Sequence, residues 1–266
     1  MSLVLSRRQF LTLPLATLLF PRWVDADASE RVVRTYEADV GVLFNLFTYT
    51  LSGRLLREID RGAGRYRVTM HGSGTGITAG MESAGIIRDG RFMPTETRGF
   101  HTVRGRENLV TITYDYGRHR VEYHSLGYTF FLGRRRQADD VIHLTPGQRV
   151  DDLISAELNF AANALDRDAD GAYRITVVRR ARPTDETPDD VSASGYRAEL
   201  ATLRFHAAPD TASGRFTALV DLTGFSSWAR STRPATVAFG PDRYLESVTS
   251  PLILGTTFTL RLRSAS

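Results

Sequence analysis

Leu109-Val110-Thr111-Ile112-Thr113-Tyr114-Asp115-Tyr116 carries the pattern that decides the fold. Val110, Ile112, Tyr114 and Tyr116 fall on one side, and Leu109, Thr111, Thr113 and Asp115 on the other. A period of two with one apolar, aromatic face is that of an extended strand half-buried in a sheet. The same alternation runs outward along the chain. Tyr66, Val68 and Met70 alternate with Arg65, Arg67 and Thr69. Long strands are expected over Tyr36–Phe44 and Leu46–Ile59, the second interrupted by Gly53. Met81–Arg88 and Arg91–Pro94 flank Asp89-Gly90, a dipeptide that tolerates the positive φ angles of a tight hairpin turn. A turn at Gly117 leads to Val121-Glu122-Tyr123, and later strands are expected over Tyr173–Arg180, Tyr196–His206, Arg215–Leu222, Ala235–Phe239 and Leu252–Leu262.

One segment departs from this period. Between Asp151 and Leu165, Ile154, Leu158, Ala161 and Leu165 recur at spacings of 4, 3 and 4, with Leu153 beside the stripe. Asp151 and Asp152 stand where a helix N-terminus favours negative charge, so one helix of about four turns is predicted over 151–165. Many strands and one amphipathic helix predict a mainly β fold. The antiparallel sheet would curl into a barrel or half-barrel, with the helix capping one opening.

Composition narrows the chemistry. The 266 residues are 42% hydrophobic and 24% charged, as in ordinary globular chains. All 34 basic residues are arginine, and cysteine is absent. Phosphate-loop and Schiff-base lysines, thiol nucleophiles, disulfides, thiolate-bound metals and lipid attachment at a cysteine are therefore excluded.

The first 28 residues read as an export signal. Arg7 and Arg8 precede Phe10 and Leu11, an apolar run spans Leu11 to Phe20, and Ala26-Asp27-Ala28 fits a small-x-small cleavage site. The order Ser-Arg-Arg-x-Phe-Leu is that of a bacterial twin-arginine signal, an address read by its translocase. Ten apolar residues interrupted by Pro14 are too few for a membrane span, which needs roughly 20. Cleavage after Ala28 would leave 238 residues, with 31 arginines against 28 acids, as a soluble periplasmic protein without a transmembrane segment. So small a net charge does not suit nucleic acid. Residues 29–266 are expected to form one domain. Arg182–Ser194, with Pro183 and Pro188, reads as an exposed loop, and no internal repeat of fixed period is present.

Several landmarks in order carry a family resemblance. They are Tyr36-Glu37-Ala38-Asp39-Val40, Ile86-Ile87-Arg88-Asp89-Gly90 with Pro94, Ile112-Thr113-Tyr114-Asp115 and Val150 through Ala156. Ala235-Thr236-Val237, Pro241 through Leu245, Gly255 and Thr257-Phe258-Thr259-Leu260 complete the series. The chain resembles, over roughly residues 34–262, the exported bacterial family called domain of unknown function 3108. That resemblance implies a periplasmic β-barrel-like fold and an envelope role, and supplies no catalytic residues. The helix departs from the family pattern, running Glu157-Leu158-Asn159-Phe160-Ala161-Ala162 where a more aromatic, arginine-terminated segment is expected.

Three local signals bear on a site. Asp166-Arg167-Asp168-Ala169-Asp170-Gly171 has carboxylates at positions 1, 3 and 5 of a calcium loop, but position 12 is Val177. It reads either as a polar helix-to-strand turn or as a weak calcium site; no other cofactor is expected. His71-Gly72-Ser73-Gly74-Thr75-Gly76 reads as a bend in a curled sheet, lacking the lysine and helix of a phosphate cradle. The six histidines show no metal-ligand spacing, and Ser73 and Ser83 lack a nucleophile-elbow motif. Finally, the apolar run holding Phe130 and Phe131 adjoins Arg134-Arg135-Arg136. This suits either a solvated edge or a mouth that admits an acyl chain while arginine forks hold its head. The expected function is therefore non-enzymatic binding of an apolar or amphipathic envelope ligand, a lipid or a glycan, or of an envelope protein. An envelope glycan- or lipid-modifying enzyme and a structural protein with a filled barrel are the alternatives.

Overall fold

A computed structural model describes residues 29–42, 47–103, 105–129, 132–181, 191, 197–223, 233–252 and 256–264. The export-signal residues Arg7, Arg8, Phe10, Leu11, Ala26 and Ala28, the loop over most of 182–196, and Phe130 and Phe131 lie outside the described residues.

The first half of the chain is a meander of β1 (Ser29–Val42), β2 (Phe47–Asp60), β3 (Arg65–Gly74), β4 (Ile77–Arg88), β5 (Arg91–Val103), β6 (Arg106–Asp115), β7 (Arg120–Tyr128) and β8 (Arg135–His143). Helix α1 (Leu153–Ala161) follows, then β9 (Asp166–Arg167), β10 (Tyr173–Arg180) and β11 (Ala198–Phe205). The chain ends with β12 (Ala207–Pro209), β13 (Phe216–Val220), β14 (Ala235–Phe239), β15 (Leu245–Pro251) and β16 (Thr257–Ser264). Strands β12 to β16 and then β1 to β8 form one 13-stranded sheet in that order, antiparallel at every pairing, because β16 returns to pair with β1. Strands β11, β10 and β9 form a second sheet, in which β11 lies against both β8 and β13. The small sheet thus spans the gap between the two ends of the large one. The result is the mainly β, curled antiparallel fold, with a single helix among the described residues, that the sequence pattern predicts.

The Asp89-Gly90 turn is as expected, with φ of 51° and 75° joining β4 to β5. Four strands escaped the sequence pattern: the short β9 and β12, and the longer β8 and β15. In β8, Arg135, Arg136, Asp139 and Asp140 occupy both faces, as suits an edge strand that must not pair with other chains. In β15 (LESVTSP) polar residues interrupt the alternation. The expected strand from Leu252 begins only at Thr257.

The helix is shorter than 151–165. Asp152 is its N-cap: the carboxylate accepts the Ser155 N–H and the Ser155 hydroxyl accepts the Asp152 N–H, a reciprocal cap that sets the start. Asn163, at φ 56°, turns the chain away after Ala162. Asp151 is drawn out of the helix by β10, donating its N–H to the Thr176 carbonyl at 2.7 Å. The helix sits deep in the curl: Ile154 and Leu158 join the core of β1–β5 and β16, while Ala156 and Phe160 join that of β10, β11, β13 and β14. Its partly exposed stripe is Leu153, Glu157 and Ala161.

Candidate functional site

Pairing register arranges the inward side chains of β2–β8 in rungs across the sheet. The innermost runs Arg57, Val68, Ser83, Thr97, Ile112, Tyr123 and Asp140. The next runs Leu55, Met70, Met81, Gly99, Val110, Ser125 and Ala138, and the next Gly53, Gly72, Ala79, His101, Asn108, Gly127 and Arg136. Burial falls along these rungs, so the two ends of the curl differ.

The helix end is filled and polar. The Arg91 guanidinium donates to Asp151 at 2.7 Å and to the Ala164 carbonyl at 2.5 Å. The Asn159 amide donates to Asp151 at 2.8 Å and to the Phe92 carbonyl at 2.9 Å, and its oxygen accepts the Phe92 N–H at 2.8 Å. Asn159 therefore caps β5 as a strand partner would. The Thr97 hydroxyl donates to Asp152 at 2.5 Å, and Tyr66 and Ser83 share a hydrogen bond at 3.1 Å. Burial pushes the Asp151 carboxyl up to about 6 from 3.8, against the opposing pull of Arg91. Burial, with the charge of Asp152 adding to it, raises the Tyr66 and Tyr114 hydroxyls far above their ordinary value. With Asp151 at 1% exposure and each of these polar groups matched, this end is built to hold the helix.

The opposite end is open and apolar. On β5, Thr97 is buried, Gly99 is partly exposed and His101 is exposed; on β4, Ser83 is buried while Met81, Ala79 and Ile77 are partly exposed. Met70, Val110, Val40 and Phe258 follow the same gradient. A Cβ added at Gly72 would stand 2.3 Å from the Tyr36 hydroxyl, because the Tyr36 ring lies flat over Gly53 and Gly72. At Gly99 a Cβ would meet nothing within 4 Å. The fold is thus packed on the Tyr36 side, with open space beside Gly99. Burial of the His101 ring against its neighbours pushes its pKa down. This open, apolar end is the candidate site. A second hollow of about 450 Å³, walled by outward residues including Arg31, Glu58, Arg67 and Thr95, lies across β1–β5. Two of its arginines are paired, Arg31 with Glu58 at 3.5 Å and Arg67 with Glu82 at 3.4 Å.

The carboxylates of the acidic loop are taken up by two arginines, Arg149 and Arg204. Asp166 pairs with Arg149; Asp168 accepts from Arg204 at 2.5 Å, and Asp170 from Arg204 at 3.0 Å and from the Ala172 N–H at 3.1 Å. Gly171, at φ 83°, completes the turn between β9 and β10. Among the described residues no group of three or more His, Cys, Asp or Glu side chains is placed to hold a metal ion. The glycine run ends β3 and forms its turn to β4, with Gly76 at φ 72°. Of the basic cluster, Arg134 lies exposed in the β7–β8 connection, Arg135 faces outward beside Gln137, and Arg136 takes an inward position. Gly99, His101 and Asn108 carried no recognisable motif; the signal for them was an inward glycine in an otherwise apolar alternation.

No family model matches the chain, and no curated protein matches it. Among solved structures it is similar to the crystal structure of a beta-barrel-like protein of domain of unknown function DUF1849 from Brucella abortus, at 11% identity. That match covers 89% of this chain and 96% of the other, with a TM-score of 0.40. Among the described residues no helix is long and apolar enough to cross a membrane.

Proposed function

We propose that this is an exported, non-enzymatic envelope protein that binds an apolar or amphipathic ligand in the open end of its curl. The observation that carries this reading is the empty space before Gly99, walled by Met70, Met81, Val110 and Ile77. Partly exposed apolar side chains around a concave void are what a ligand with an apolar tail can bury. Two features of the sequence support the location: the Arg7-Arg8 signal, and the order of landmarks shared with domain of unknown function 3108. Native mass spectrometry of the protein purified from periplasm tests the proposal. The expected result is a co-purifying small molecule in the natural protein that is absent from Gly99→Leu. A ligand-free spectrum for both, with no uptake of added amphiphile, would contradict it.

A further inference from the structure

The proposed ligand site leaves the outer edge of β8 unused. β8 ends the 13-stranded sheet, and among the described residues no strand pairs with its outer edge. The small sheet bonds to β8 at Asp140, whose carboxylate accepts the Ala198 N–H at 2.9 Å, which leaves Arg135–Asp139 open among those residues. A strand edge with unpaired N–H and C=O groups accepts another strand unless its side chains forbid it. On the outward face this stretch presents Arg135, Gln137 and Asp139, all exposed. The Arg135 guanidinium donates to the Gln137 oxygen at 2.9 Å, and the Gln137 amide donates to Asp139 at 2.7 Å. Asp139 also meets His124 at 2.8 Å. The outward face is therefore basic at Arg135, neutral at Gln137 and acidic at Asp139. Apolar surface gathers beside it. Of the eight large apolar side chains exposed among the described residues, five (Leu109, Leu126, Tyr128, Leu132 and Val141) belong to β6–β8 or to the β7–β8 connection. Leu109 pairs with Leu126, and Leu126 with Gln137, so an apolar row runs across the outer face up to this edge.

We infer that this edge of β8 pairs, antiparallel, with the same edge of a second copy of the chain, about a two-fold axis at Gln137. Such an axis keeps the two outward faces on one side, and a two-fold interface must complement itself. With Gln137 opposite Gln137, Arg135 stands opposite the second copy's Asp139, and Asp139 opposite its Arg135. Both charges thereby gain a cross-strand neighbour of opposite sign. Other registers lose this. Full overlap of the two strands would set Asp139 against Asp139 and Arg135 against His143, and an axis at Ala138 would set Arg135 against Val141. With the axis at Gln137, the two apolar rows also meet, joined through the paired Gln137 residues. The charges that turn away an arbitrary strand thus select one partner. Five residues a side, Arg135–Asp139, make a small interface of the weak, reversible kind.

The test is sedimentation velocity of the whole exported chain over a rising range of concentration. The natural protein should pass from monomer to dimer. Arg135→Asp and Asp139→Arg each set like charges face to face on both sides of the axis, so each alone should weaken dimerisation by about tenfold or more. Mixed in equal amounts, the two single variants should associate again, because each then meets the opposite charge. The double variant Arg135→Asp/Asp139→Arg should dimerise as the natural protein does. Because the chain has no cysteine, a disulfide can report the register. Gln137→Cys, with its Cα atoms about 4.5–5.5 Å apart across the axis, should cross-link two copies on mild oxidation, whereas Val141→Cys, well off the axis, should not. A natural protein that stays monomeric up to about 1 mM overturns the proposal. So does a dimer that both single variants form as readily as the natural protein, or a mixture of the two that stays monomeric.

Discussion

The two ends of this curled sheet are made from the same alternating strands, yet they solve opposite problems. At the helix end, β5 offers Arg91, Phe92 and Thr97 to Asp151, Asn159 and Asp152, and each of these groups is matched. At the far end the same strand offers Gly99, His101 and Val103 to open space. The difference teaches that closure of the fold is bought locally, by one short helix and its polar contacts. The rest of the interior is thereby left free to stay hollow.

Breaking the helix end should have the largest effect. Asp151→Ala strands Arg91 at 9% side-chain exposure, so a loss of about 3–5 kcal/mol is expected in chemical denaturation. The Asn159→Leu variant leaves the Phe92 N–H and carbonyl unmatched and should cost about 2–4 kcal/mol. Next in size is a pair of glycine substitutions that contrasts the two sides of the interior. Gly72→Val drives a side chain into Tyr36 and should destabilise by about 1–3 kcal/mol. Gly99→Leu, whose Cβ meets nothing within 4 Å, should leave the denaturation midpoint within about 0.5 kcal/mol while abolishing amphiphile binding.

A smaller effect follows from pH. Asp151 titrates near 6 in the folded chain, above its ordinary 3.8, so the folded state holds its proton more tightly than the unfolded state. Its contribution is therefore fully present below about 4 and is lost as pH rises through about 6. Between pH 5 and 7.5, stability of the natural protein should fall by about 1–3 kcal/mol more than that of Asp151→Asn. The least effect belongs to the exposed outer face. There His124 and Asp139 meet at 2.8 Å in water, and His124→Ala should not move the melting temperature.

Much of this contrast was legible in the sequence, and the illegible part has a common cause. Strands such as Tyr173–Arg180 and Ala235–Phe239 are bounded where the alternation places them, because one face is buried and one is not. The 3.6-residue stripe located α1 but overran both its ends, which the Asp152–Ser155 cap and the turn at Asn163 set. Asp151 belongs to β10 and Arg91, which no local pattern reports. The basic run Arg134–Arg136 was visible as charge. That it divides between an exposed connection, an outward face and an inward face depends on the register of β8 against β7. The acidic loop showed its carboxylates but not the arginines that reach them from β11 and from the segment before α1. Gly99 stood among the inward residues of β5 as one glycine among many. Only the absence of any neighbour in space distinguishes it from Gly72.

The hollow before Gly99 can be probed directly because the chain has no cysteine of its own. Single cysteines at Gly99→Cys and Thr97→Cys, two residues apart on the same inward face of β5, would be timed against a small water-borne thiol reagent. The account predicts that position 99 reacts nearly as fast as a free thiol, that position 97 is protected until the protein unfolds, and that dodecanoate slows only the former. Equal protection at both positions would mean that the interior is filled from end to end, and would contradict it.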